Sequence, residues 1–180
     1  ERRRVLLGLY VADHCTVAGH DPQGSPGRVC VPGERRHVKI GQAGSDLIKS
    51  YERCRLRAYL PTPNDVWTCG WGSTKGVTKD TVWTQEEADA AFLKDLEWVE
   101  ECVNKAVTAQ LTQNEYDALC SLCFNIGCHA FGKSTLVKLI NEHNFDAAAL
   151  EFRRWSKQKG VELAGIVRRR VAEEKLFETA

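Results

Sequence analysis

Residues 51–76 read YERCRLRAYLPTPNDVWTCGWGSTKG, and their pattern decides the fold. Leu47, Ile48 and Tyr51, continued beyond 53–55 by Leu56, recur at the three- and four-residue steps that line one face of an α-helix. From Ala58 to Leu60 the period moves toward an extended run. PTPND then supplies a turn whose prolines donate no ladder hydrogen bond, and Val66, Trp67 and Thr68 read as the returning strand. Glu52 thus stands at the rim of an apolar helix, opposite a small β-hairpin. Partial desolvation of a carboxyl group at such a place favours its protonated form, which suits a general acid. The plainer reading of one helical carboxylate is a solvated surface group.

Downstream, GSTKGVTKDTVW is a polar connection whose glycines Gly70, Gly72 and Gly76 permit tight turns. Thr84-Gln-Glu-Glu87 is a capping box, behind which Ala88, Phe92, Leu96, Val99 and Val103 step by three and four along a long amphipathic helix. A second box, Thr112 to Glu115, opens a helix that ends near Gly127 and is apolar on nearly every side, so it belongs at the centre of a helical lobe. Ser134 opens a short helix and Asn144 another, the latter with Phe145, Ala148, Ala149, Phe152 and Trp155 inward. KQKGVELAG reads as a loop, and a last helix over 166–177 has Ile166, Val167, Val171, Leu176 and Phe177 as its apolar side. The expected class is α+β: a small β-hairpin lobe joined by a long helix to a larger all-helical lobe, with a cleft between them. Such clefts are where polymer substrates lie.

The 180 residues suffice for one domain with an extension, here an arm over 1–43 and a domain over 44–180. Four glycines and three prolines over 19–33 make part of the arm loop-like. Its opening, ERRRVLLGLYVADHC, has a basic lead and a short apolar run resembling a signal-anchor, although 18 consecutive apolar residues occur nowhere. A net charge of +1 argues against general nucleic-acid binding. The basic clusters at the start, at 33–39 and at 168–170 are solvated faces or contacts for an anionic wall or membrane surface.

Eight cysteines are many for a reducing compartment. Their pairing is not legible. A bridge between Cys15 and Cys30 would stabilise the arm by roughly 3 kcal/mol. Cys120, Cys123, Cys128 and His129 form a string open to a zinc reading, but Tyr116, Leu119, Cys120, Cys123 and Ile126 share one helical face, which favours core packing. No metal or other cofactor is expected.

The segments ERCRLRAY and WTCGWGST, followed in order by LTQNEYDALCSLCFNIG, AFGKSTLVKLI, FDAAALEFRRW and LAGIVRRRVAEE, resemble the phage-type lysozymes of glycoside hydrolase family 24 over roughly residues 44–179. The resemblance implies an endolysin that cleaves between N-acetylmuramic acid and N-acetylglucosamine in bacterial peptidoglycan, lysing the host. Glu52 would be its acid and Thr68 its water-orienting hydroxyl. The family spacing puts the second carboxylate at Pro61 counted from Glu52, or at Thr62 counted from Thr68, and neither is acidic. Asp65 is the hairpin's carboxylate; it shares a face with Thr68 only if a turn or bulge re-aims it. Phe124 and Asn125 match the residues that face the glycan, and one of Arg168, Arg169 and Arg170 is expected to pair with Glu52. The misplaced Asp keeps a lytic transglycosylase open, and an inactive glycan-binding homologue is the reading from another class. The resemblance further implies a monomer held in the host cytoplasm before it reaches the periplasm and wall, with signal-anchor export as a route. Cys54, two residues after the acid, is either a structural cysteine or one whose oxidation state governs the cleft.

Overall fold

The computed structural model describes residues 38–62, 64–158 and 160–179. The expectations for the signal-anchor run, the Cys15–Cys30 loop and the first basic cluster lie outside the described residues.

Helix α1 (Gln42–Tyr51) lacks a side-chain cap of its own at Gly41. The cap comes from another helix: the Asp117 carboxylate accepts the Gly41 N–H at 2.7 Å and the Gly44 N–H at 3.0 Å. This explains a carboxylate that is 1% exposed, because the first N–H groups of a helix have no internal partner and favour negative charge. The approach is close, since a Cβ at Gly44 would lie 2.8 Å from that of Asp117. Residues 38–41 are tied to the same lobe: Glu100 accepts from the Ile40 N–H, while Asn104 and Gln113 donate to the Val38 and Lys39 carbonyls.

Helix α1 stops at Tyr51, where Glu52 turns to extended geometry. Leu56 therefore belongs to the hairpin rather than to the helical face, a correction to the apolar stepping read through it. Strands β1 (Arg55–Tyr59) and β2 (Thr68–Gly70) are antiparallel. Val66 and Trp67 precede β2 instead of forming it. Arg55 lies opposite Gly70 and Tyr59 opposite Thr68, so four steps of β1 are set against two of β2 and the irregularity sits in β1. Its surplus backbone groups are satisfied from the far side, by Ala58 N–H to Thr81 and Trp83 N–H to Leu56.

Helix α2 (Gln85–Ala106) has the complete Thr84–Glu87 capping box and buries the five apolar residues foreseen for it. Helix α3 (Gln113–Ile126), opened by the Thr112–Glu115 box, is buried from residue 115 through 123. Around it pack α4 (Cys128–Gly132), α5 (Thr135–Asn141), α6 (Phe145–Glu151) with a 3₁₀ turn over Phe152–Trp155, and α7 (Ala164–Glu178). Each large apolar side chain in this core contributes roughly 1.5–3 kcal/mol by leaving water. A disulfide joins Cys102 on α2 to Cys128 at the start of α4. Cys120 and Cys123 are fully buried core residues, and burial pushes the Cys123 thiol up to about 12.

Two elements depart from the sequence reading. KQKGVE is not a plain loop: β3 (Lys157–Gln158) and β4 (Val161–Glu162) form a minimal hairpin turning at Gly160, whose φ is +81°. The buried side of α7 is charged, comprising Arg169, Arg170, Glu173 and Glu174 with Phe177, while Val171 is 49% exposed.

Candidate active site

Three segments meet at Glu52. The end of α1 delivers its carboxyl group, and the buried guanidinium of Arg169 on α7 donates to Oε1 at 2.7 Å. From the hairpin side comes the turn after β2, where Cys69 and Ser73 exchange both backbone hydrogen bonds and fold the chain sharply through Gly70 and Gly72. Gly72 has φ +106°, and a Cβ there would lie 3.9 Å from Glu52 Oε2. A side chain at this position would strain the backbone and enter the space before the Glu52 carboxyl group.

Arg169 is itself held. Its Nε donates to Glu173 Oε1 at 3.1 Å, Nη2 donates to the Ser121 carbonyl, and the Ser121 hydroxyl donates to the same Glu173 oxygen at 2.6 Å. Glu173 is wholly buried, and burial pushes its carboxyl up against the opposing pull of Arg170 and Arg169. Its other oxygen lies 3.2 Å from Arg170 Nε, close enough to attract by charge but not aligned for a hydrogen bond. Burial brings Arg170 down to about 10. Arg170 Nη2 in turn donates to Asn125 Oδ1 at 2.9 Å. One buried carboxylate therefore anchors two arginines, of which one grips Glu52 and the other orients the exposed amide of Asn125. The expected arginine partner of Glu52 is Arg169; Arg168 is exposed and its carbonyl accepts from the Tyr51 hydroxyl.

Of the remaining candidates, Thr68 is buried and its hydroxyl donates to the Val66 carbonyl at 3.1 Å. Asp65 is exposed; its carboxylate accepts from the Thr62 hydroxyl at 2.9 Å and its N–H from the same residue closes a turn on the Thr62 carbonyl. The arginine network joins Glu52 and Asn125 but does not include Asp65. Phe124 is half-buried, edge-on to Phe92 and stacked with Trp98 at 6.4 Å.

Sequence reading missed Asp89 and Trp71. The Asp89 carboxylate accepts from Lys49 and from the Trp71 indole N–H, both at 2.8 Å, and from Gln85 at 3.1 Å, tying α1, the glycine turn and α2 together. Those donors, Lys49 first, hold its carboxyl below the usual range. The position of Asp89 in the first turns of α2, one step off the apolar stripe, was the available signal. Cys54 is a free, half-buried thiol beside Gln85, raised chiefly by desolvation.

The phage lysozyme family model matches residues 49–173. An endolysin of Acyrthosiphon pisum secondary endosymbiont phage 1 is 43% identical over 147 residues, covering 79% of this chain and 100% of that protein. An endolysin of Bacillus phage PZA is 39% identical over 78% of this chain and 55% of its own length. A SAR-endolysin of Enterobacteria phage P21 is 30% identical over 76% of this chain and 81% of its own. Among solved structures, the muramidase domain of SpmX from Asticaccaulis excentricus superposes with a TM-score of 0.74 at 40% identity, covering 79% of this chain and 99% of that one. A match that runs from the end of α1 through both lobes to Glu173 on α7 leaves one assignment: the chain belongs to the phage lysozyme family and is a peptidoglycan-hydrolysing endolysin.

Proposed function

We propose that the bond cleaved joins N-acetylmuramic acid to N-acetylglucosamine, and that Glu52 donates the proton to the leaving oxygen. The observation that supports this most is the paired setting of Glu52: one carboxylate oxygen is fixed by Arg169, while the other lies on the side of the bare backbone of Gly72. Geometry fixed before substrate arrives lowers the ordering needed in the transition state. Arg169 also supplies positive charge beside the carboxylate left after transfer, stabilising it as the proton departs.

An inverting glycosidase needs a second group that activates water on the far face of the sugar. Asp65 takes that role, with Thr68 orienting the water. The Thr62 and Val66 hydrogen bonds that now occupy these side chains are exchanged for water when the glycan seats. Asn125 receives an N-acetyl or hydroxyl group of the substrate, since an amide both donates and accepts; Phe124 supports it from the half-buried side. The enzyme acts as a monomer. It is made in the host cytoplasm and reaches the wall through the periplasm, and similarity to a SAR-endolysin supports signal-anchor release as the route.

The test is Glu52→Gln, which keeps shape and removes the transferable proton. Lysis of purified walls is expected to fall by about 10²- to 10⁴-fold with an unchanged melting temperature. Residual activity within about tenfold of the parent would place the acid elsewhere. Asp65→Ala should lower the hydrolytic rate with little effect on Tm, and product analysis of released muropeptides identifies the bond broken.

A further inference from the structure

Helix α2 has a second face that the core does not use. Opposite the buried stripe, Ala90 and Ala91 floor a concavity of about 740 Å³ that Trp83 and Trp98 flank. Both tryptophans are held in place. Trp83 lies against Gly70, where a Cβ would meet its ring at 3.0 Å, and its backbone N–H donates to the Leu56 carbonyl. Trp98 is 37% exposed and stacks on Phe124 with ring planes 19° apart. The mouth is set by Ser73, whose hydroxyl is hydrogen-bonded to Asp95 and which directly follows the Gly72 that faces Glu52. The lining thus runs from Ser73, next in sequence to Gly72, to Trp98, which stacks on Phe124.

We propose that this concavity is a distal saccharide subsite, taking a neutral N-acetylhexosamine unit of the same glycan strand whose cleavage the family assignment implies. Its volume falls within the range of small-ligand sites, roughly 300–1,000 Å³. Indole faces offer apolar area fixed at low entropic cost and suit the C–H face of a pyranose ring, leaving the sugar's polar edge to meet charged side chains at the rim. Charge selects between the two parts of peptidoglycan. The lining carries Glu87, Asp95, Glu97 and Glu101 against Lys75 and Lys94, an excess of carboxylates that repels the anionic peptide stem and leaves an uncharged sugar as the better occupant.

The experiment measures binding rather than lysis, by calorimetry on the Glu52→Gln protein with peptide-free N-acetylglucosamine oligomers from disaccharide to hexasaccharide. Trp98→Ala should weaken hexasaccharide binding about fivefold to tenfold, as expected for one lost aromatic contact, and leave disaccharide binding unchanged. Ala90→Lys, which fills the floor from an exposed helical position, should reproduce that loss without touching either tryptophan. Hexasaccharide affinity within about twofold of the parent in both variants would overturn the subsite. So would a loss seen only with peptide-bearing muropeptides, or no oligomer binding by the parent. Release of reducing ends from peptidoglycan by the unsubstituted protein, measured in parallel, tests the hydrolase reading by itself: cleavage that persists while both variants bind normally sinks only the subsite.

Discussion

Helices α2 and α7 are both long and both lie against the helical lobe, yet they bury opposite chemistry. The inward face of α2 is Ala88, Phe92, Leu96, Val99 and Val103, whereas that of α7 is mostly Arg169, Arg170, Glu173 and Glu174. Burial of the first kind releases apolar surface from water and needs no partner of particular geometry. Burial of the second kind costs several kcal/mol per ion and is recovered only through pairing. A chain that needed only stability would place leucines on α7. The difference teaches that α2 builds the fold and α7 the candidate site, since its charges reach Glu52 and Asn125.

The sharpest way to break this comparison is Glu173→Ala. Two buried guanidinium groups lose their shared anion, and unfolding in denaturant should show a loss of about 3–5 kcal/mol. The conservative Glu173→Gln separates position from stability: wall lysis should fall by more than the folded fraction does, with a shifted pH profile, because Arg169 is no longer fixed beside Glu52. An unshifted profile with activity following the folded fraction would make Glu173 merely structural. On the other helix, Leu96→Ala should cost about 2–5 kcal/mol, with lysis per folded molecule retained.

Next in size is the combined Arg169→Met, Arg170→Leu, Glu173→Leu protein, expected to unfold within about 1–4 kcal/mol of the parent in the stabilising direction, and to be inactive. An active triple variant would refute the division of labour. Smaller again is the contrast at the helix starts. Helix α2 has a full capping box, but α7 begins at Leu163 with no side-chain cap. Thr84→Ala should cost about 1 kcal/mol and Leu163→Asp gain a few tenths to about 1 kcal/mol. The smallest effect is at half-buried Asp89. Its lowered folded-state pKa means its contribution is present above the ordinary carboxylate value, about 3.9, and is lost as pH falls further. Asp89→Asn should flatten that acid limb in Tm measured against pH.

What the sequence made legible follows the same divide. The boxes at Thr84 and Thr112 are local, so three or four adjacent residues suffice to place α2 and α3, and the buried stripe of α2 emerges residue by residue from its period. The face of α7 stayed hidden because Arg and Glu read as solvent-facing unless their partners are known, and those partners, Ser121 and Asn125, lie on α3. The family resemblance implied that an arginine among 168–170 would meet Glu52, but the choice of Arg169 depends on helix phase. The β3–β4 hairpin was missed because two-residue strands show no alternation. The Cys102–Cys128 pairing depends on how α4 returns to α2, which no spacing encodes. In the candidate site, Glu52 and its glycine turn were readable as adjacent motifs. Asp89 was not, because its three donors come from separate elements.

The disulfide grips α2 near its far end, at Cys102 of a helix that runs to Ala106, while the hairpin meets the helix at its beginning through Asp89, and further along through Ser73 and Asp95. In mechanical terms α2 is a cantilever, covalently clamped at one end and carrying its load on hydrogen bonds toward the other. Among the described residues, no covalent cross-link spans the two sides of Glu52. Opening the structure around Glu52 would therefore load these polar contacts and the Ile48–Phe92–Leu96 packing with Trp71, all of which can re-form, rather than the clamp.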